Sequence, residues 1–179
     1  TEQCPDWTIE PDGTCYRCYV AVYEHHVTAA VAYGIYNYVR ITHDTEFLLH
    51  KGAEILIETA RFWKSRLQYI KQNDRYEIHR VTGPDEWHEP VDNNVYTNYL
   101  ARWNLRYVTA LTEMLSRQYP QEYTALVEKL GLTEEEIADW DAVAAKVYLP
   151  RKEGTQLLEQ FEGYFDLKEA VIEKYDSND

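Results

Sequence analysis

The chain has 179 residues, with 18 Lys and Arg against 31 Asp and Glu, a formal net charge of −13. With 45% hydrophobic and 14% aromatic residues, it has the apolar mass for a buried core, which excludes a disordered chain. The acidic balance argues against nucleic acid and against an anionic membrane surface, both of which require clustered Lys and Arg.

No apolar run reaches the roughly 20 residues that span a bilayer. Thr1 to Pro5 carries neither the basic region nor the apolar core of an export signal. The absence of an initiator Met leads to the expectation that the chain is cut from something longer. Three Cys cannot all pair within one chain. Cys15-Tyr16-Arg17-Cys18 has C-x-x-C spacing but lacks the two further ligands of a zinc site. Reduced, partly buried thiols in a cytoplasmic protein are expected instead, with no metal and no cofactor.

In chain order, helices dominate. From Val20 to Ile41, the residues Val27, Val31, Ile35 and Tyr38 recur at three and four and predict one buried helical stripe. Thr42-His43-Asp44 interrupts it, and Thr42 or Asp44 is suited to cap a second helix reaching Arg66, with Ala53, Leu56, Ile57, Ala60 and Trp63 on one face. Leu67 to Ile70 and Tyr76 to His79 read as short extended pieces joined by a turn at Gln72-Asn73-Asp74. A loop from Val81 to Asn94 has no helical period. Asp92-Asn93-Asn94 supplies acceptors for a helix from Val95 to Arg117. Pro120 opens another helix and Gly131 ends it. Thr133-x-x-Glu136 is a capping box for a helix to about Val147. Leu149 onward is irregular, with a final short helix near Leu167 to Lys174. No repeat or Gly/Ser-rich linker divides the chain, so an all-α unit over residues 1–179 with a small β-hairpin-like insert is expected.

Chemistry concentrates in the loop. Asp85, Glu86, Trp87, His88 and Glu89 place three carboxylates, an imidazole and an indole in five residues between Pro84 and Pro90, and the two prolines limit the loop's freedom. Cleaving a glycosidic bond needs a carboxylic acid that is still protonated near neutral pH. Burial beside Trp87 and repulsion from Asp85 and Glu89 are two means of raising a Glu here. An aromatic face with nearby Asp, Asn and His also suits a sugar ring. The alternative is a polar loop whose Asp and Asn only cap the next helix.

The run Gly83-Pro84-Asp85-Glu86-Trp87-His88-Glu89-Pro90-Val91-Asp92-Asn93-Asn94-Val95-Tyr96-Thr97-Asn98 resembles the signature of glycoside hydrolase family 65, which includes the maltose, trehalose and kojibiose phosphorylases. Three further segments resemble that family in its own order: Glu24 to Tyr33, Thr59 to Arg66, and Phe161 to Asp166. The resemblance implies part of an (α/α)6 barrel, cytoplasmic and homodimeric in the parent protein, with Glu86 as general acid and Glu89 as the runner-up. It implies substrate contacts from Asp85, Trp87, His88, Glu89, Asn93 and Asn94, and from His26 and Thr28 on the acceptor side; Arg61, Trp63 and Arg66 are expected to pack and pair ions. Trp87 stands where the family usually has Tyr, and Ala30 where it has Asp.

In the phosphorylases of that family, inorganic phosphate attacks the anomeric carbon while one carboxyl protonates the leaving sugar. An α-glucoside such as maltose then yields β-D-glucose 1-phosphate. The partners implied are thus a disaccharide and phosphate; a hydrolase of the same family and a non-catalytic helical binding domain are the competing readings. The sequence shows no compact basic cluster for phosphate, and Arg151-Lys152 reads as a solvated pair. The family's phosphate motifs lie past the position matching Asp179. A middle piece of a catalytic domain is therefore expected, without turnover alone and prone to self-association through uncovered apolar helix faces.

Overall fold

The computed structural model describes residues 7–17 and 20–168. Two short strands, β1 (Trp7–Ile9) and β2 (Cys15–Arg17), form an antiparallel hairpin. The sequence reading did not anticipate this hairpin. Its turn closes where Gly13 takes φ 87° and Asp12 Oδ1 accepts from the Thr14 amide at 2.8 Å. All residues of the two strands are exposed, Trp7, Ile9 and Tyr16 among them, so no buried face marks them. Cys15 is exposed on β2, which corrects the expectation of a partly buried thiol; Cys4 and Cys18 lie outside the described residues.

The predicted first helix is two elements, α1 (Val20–Tyr23) and α2 (His26–Thr42), broken at Glu24-His25. The buried face of α2 is His26, Ala29, Ala32 and Ile35. Of the expected stripe only Ile35 is buried; Val27 and Val31 are half exposed, as is Tyr38. The period was right and the face was wrong, because α2 has two apolar stripes and the small one allows close approach to its neighbours.

Asp44 Oδ1 accepts from the Phe47 amide at 2.9 Å and starts the next rod. This rod runs as α3 (Thr45–Phe47), a π-helical turn (Leu48–Gly52) and α4 (Ala53–Arg66). Ala53, Leu56, Ile57, Ala60 and Trp63 are buried as expected. Strands β3 (Gln68–Ile70) and β4 (Arg75–Glu77) form the predicted hairpin, with Tyr69 opposite Tyr76.

The long helix α5 (Val95–Gln118) is the centre of the molecule. It packs against α2, α4, α6 (Pro120–Leu130) and α7 (Glu134–Ala145). Ala101, Leu105, Val108, Leu111 and Leu115 line its buried face at helical spacing. Asn94 Oδ1 caps it by accepting from the Thr97 amide at 3.0 Å. Gly131 ends α6 at φ 59°. Thr133 caps α7, accepting from the Glu136 amide at 3.1 Å. Glu136 does not complete the capping box; its carboxylate takes two bonds from Arg61, at 2.7 and 2.9 Å, because a bidentate guanidinium is the stronger donor. Leu149 onward is irregular until a 3-10 turn, Tyr164–Asp166. Leu167 and Lys168 are not helical, and the rest of the expected last helix lies outside the described residues. Among the described residues no helix is long and apolar enough to cross a membrane.

Candidate active site

The loop from Val81 to Asn94 is held at its neck. Val81 and Val91 exchange two backbone bonds of 2.9 Å, and the Asn93 amide donates to the Ile78 carbonyl at 2.8 Å. Gly83 touches the neck so closely that a methyl group on it would lie 2.4 Å from Asn94 Nδ2, a separation only glycine avoids. Thr82 is buried and stitches the loop to the α1–α2 joint. Its amide donates to the Tyr23 carbonyl at 3.0 Å, and its carbonyl meets His26 Nδ1 at 3.3 Å. The crest of the loop, Pro84 to Trp87, is exposed.

Glu86 sits on that crest with φ 54°, the left-handed region, which costs a non-glycine residue about 1–2 kcal/mol. Strain of this kind collects at functional sites. The Trp87 indole is 84% exposed and does not cover Glu86, contrary to the expectation of a desolvating wall. Asp85 is also turned away: its carboxylate is bonded to His88 Nδ1 at 3.1 Å and to the Gln160 side-chain amide. His88 in turn packs on Phe161 at 5.1 Å and meets Tyr164 edge-on. The Glu89 carboxylate accepts from the Thr82 hydroxyl at 3.0 Å.

The group that does meet Glu86 is Glu24, which the sequence reading had not singled out. Burial raises the Glu24 carboxyl above the usual carboxylate range, and the Glu86 and Glu89 carboxylates raise it further, Glu86 through direct side-chain contact. Among the described residues its one ion-pair contact is His26 Nε2 at 3.7 Å. His26 itself is pushed down by burial, against the opposing pull of the Thr82 carbonyl and Glu86. His25 is lowered by burial and then by Arg66, whose Nε donates to His25 Nδ1 at 3.0 Å. The Glu24 carboxyl thus feels two neighbouring carboxylates beside two imidazoles whose charging burial disfavours. The signal for Glu24 was its place at the start of the Glu24-His25-His26-Val27-Thr28 segment. Thr28, one turn further on, is half-buried, its amide bonded to the His25 carbonyl at 3.1 Å.

This convergence has a pH signature. Glu24 binds its proton more tightly in the folded chain than in the unfolded one. Its contribution to stability is therefore complete below the ordinary carboxylate pKa and is lost as pH rises through the raised value. Glu24→Gln removes that loss, so the variant is expected to melt a few degrees above the parent at pH 8 and level with it at pH 4. Thermal unfolding at the two pH values checks this; an equal change at both would show that no proton is shared.

Asn93 and Asn94, expected to face substrate, are buried and satisfied by the protein. Asn94 caps α5 and donates to the Gln160 carbonyl at 3.3 Å. Asn93 Oδ1 accepts from the Ile78 amide and the Asn98 side chain, and its Nδ2 donates to Glu77 and Glu162. Beneath them lies a second network that sequence reasoning missed. Glu77 is buried, which alone would raise its carboxyl, yet His79 and Arg75 at 2.6 Å each, with Asn93, hold it below the usual range. These groups anchor the loop rather than open onto it. Arg61 makes the expected ion pairs and Trp63 the expected core contact, whereas among the described residues Arg66 forms hydrogen bonds, to His25 and to the His79 carbonyl, and no ion pair.

The pinned loop, its left-handed glutamate and the helical support form the candidate active site of a catalytic-domain segment. Residues 1–179 match the family model described as the glycosyl hydrolase family 65 central catalytic domain, and the chain belongs to that family. It is 49% identical over 177 residues to a kojibiose phosphorylase of Thermoanaerobacter brockii, a match covering 99% of this chain and 23% of that protein. It is 36% identical over 175 residues to a 1,2-alpha-glucosylglycerol phosphorylase of Bacillus selenitireducens, again 23% of that protein. A solved structure of a provisionally named kojibiose phosphorylase from the human microbiome superposes with TM-score 0.73 and 28% identity, over 84% of this chain and 20% of that one. The chain thus spans about a quarter of the length of these relatives.

Proposed function

We propose that this chain supplies the general-acid portion of an inverting phosphorylase. That enzyme cleaves the α-glucosidic bond of a disaccharide with inorganic phosphate, and its whole catalytic domain is an (α/α)6 barrel. Glu86 donates its proton to the glycosidic oxygen as the anomeric carbon–oxygen bond breaks. A phosphate oxygen forms the new bond from the opposite face, which inverts the configuration to β-D-glucose 1-phosphate and frees the second sugar. Phosphate replaces the catalytic base and water of an inverting hydrolase. Burial and the Glu86 carboxylate favour the protonated form of Glu24, which limits the negative charge beside Glu86 once the acid is spent. The observation that carries this reading is Glu86 held in a left-handed turn on the crest of a loop pinned at its Val81–Val91 neck, in a chain that matches the family's central catalytic domain over residues 1–179.

Kojibiose is the disaccharide favoured, ahead of the maltose first expected, since a relative at 49% identity bears that name. The whole protein is expected to release glucose 1-phosphate from kojibiose and phosphate faster than from maltose or trehalose. Release of glucose without dependence on phosphate would replace this reading with a hydrolase. The 179-residue chain alone is expected to show no turnover.

A further inference from the structure

Arg102, Trp103, Arg106 and Tyr107 share one face of α5, three and four residues apart. Trp103 and Tyr107 stack with centroids 5.3 Å apart and planes within 4°, and Tyr36 of α2 meets both edge-on. Arg151, from the irregular segment after α7, helps close the cleft, which encloses about 460 Å³. Folding therefore assembles a basic cluster that the linear sequence did not show; Arg151 and Lys152 are exposed as expected, and Arg151 Nη1 donates to the Gln156 carbonyl at 2.8 Å.

The cleft is short of negative charge. Arg61, Lys64, Arg75, Arg117, Lys129 and Lys146 all pair with carboxylates. Among the described residues, no Asp or Glu forms an ion pair with Arg102, Arg106 or Arg151. Burial, followed by the charges of Arg106 and Arg151, weakens the hold of Arg102 on its proton. A chain of net charge −13 thus keeps three guanidiniums together around an aromatic floor, an arrangement that repels itself until an anion enters.

We infer that the cleft is a docking site for a carboxylate-bearing segment of the remaining polypeptide, its acid side chain entering between the three arginines and its apolar neighbours covering the Trp103–Tyr107 stack. Two observations favour a polypeptide over a small anion. The cleft runs outward into exposed apolar surface, with Tyr99 and Leu158 on its lining and Tyr33 against Trp103, which a free phosphate ester would leave uncovered. The chain also matches only 23% of the length of its relative, so most of such a polypeptide is available to cover it.

The test uses the whole protein carrying Tyr99→Cys, with alkylation by iodoacetamide followed at that position by peptide mass spectrometry. Tyr99 is 55% exposed in this chain alone. Native protein is expected to react at least about tenfold more slowly than urea-unfolded protein, as a covered site does. Adding Arg106→Gln is expected to restore much of the rate, while Arg106→Lys, which keeps the charge, leaves protection in place. Equal rates in native and unfolded protein would overturn the inference. So would protection that arises only on adding inorganic phosphate or glucose 6-phosphate, which would make the occupant a diffusible anion. Loss of activity in Glu86→Gln bears on the proposed reaction and not on this surface.

Discussion

Replacing Glu86 with Gln in the whole enzyme is expected to lower kcat by roughly 10² to 10⁴, the usual contribution of a positioned general acid. The amide keeps the size and the left-handed backbone of the residue but has no proton to give. KM for the disaccharide should change little, because the lost interaction operates as the bond breaks. The sharper readout is the leaving group. Fluoride departs without protonation, so α-glucosyl fluoride with phosphate is expected to remain a substrate of the variant at near parental rate. A structural lesion would depress both reactions alike. Glu89→Gln should be the milder change, since the Glu89 carboxylate already accepts from the Thr82 hydroxyl at 3.0 Å. If Glu89→Gln were the crippling variant and retained the fluoride reaction, the acid would be Glu89.

The second large effect is on stability. Asn93→Ala is expected to cost on the order of 3–5 kcal/mol, because it strands several buried partners at once, one of them charged. Asn93 is fully buried with φ 52°, a conformation that asparagine tolerates and alanine does not. Its side chain accepts from the Ile78 amide at 3.2 Å and from Asn98 at 3.1 Å, and donates to Glu77 at 3.2 Å and Glu162 at 2.8 Å. Asn93→Asp is a near-isosteric comparison: it preserves the backbone but sets a carboxylate against Glu77 and Glu162, so its penalty should fall as the carboxyls protonate at low pH. Denaturant titrations at pH 7 give the cost. A loss below about 1 kcal/mol for Asn93→Ala would show that the network is not coupled.

The raised carboxyl of Glu24 and the buried bonds of Asn93 show two ways in which the candidate site exceeded what its residues announced. Glu86 stood out as a candidate because Gly83-Pro84-Asp85-Glu86 lies in a long, specific run; the family match over residues 1–179 bears out the family that run suggested. Glu24 was not, because its significance lies in a contact between the α1–α2 joint and a loop some sixty residues later, made through Tyr23 and Thr82. Asn93 and Asn94 looked like sugar ligands because polar residues beside a candidate catalytic loop suit both roles; only burial separates them. Trp87 carried the opposite error, since an aromatic residue reads as a wall whether or not anything packs on it.

What the sequence determined by itself was local. The Asp44, Asn94 and Thr133 caps, Pro120 and Gly131, the β3–β4 hairpin and the buried stripe of α4 all depend on groups a few residues apart, whose geometry the backbone imposes. Only the tertiary structure decided which of the two apolar faces of α2 meets α5, that Glu136 leaves its own helix end for Arg61, and that three arginines from two segments surround one cleft. Each of these is a choice between partners of similar local merit, and it is settled by which groups the packing removes from water together.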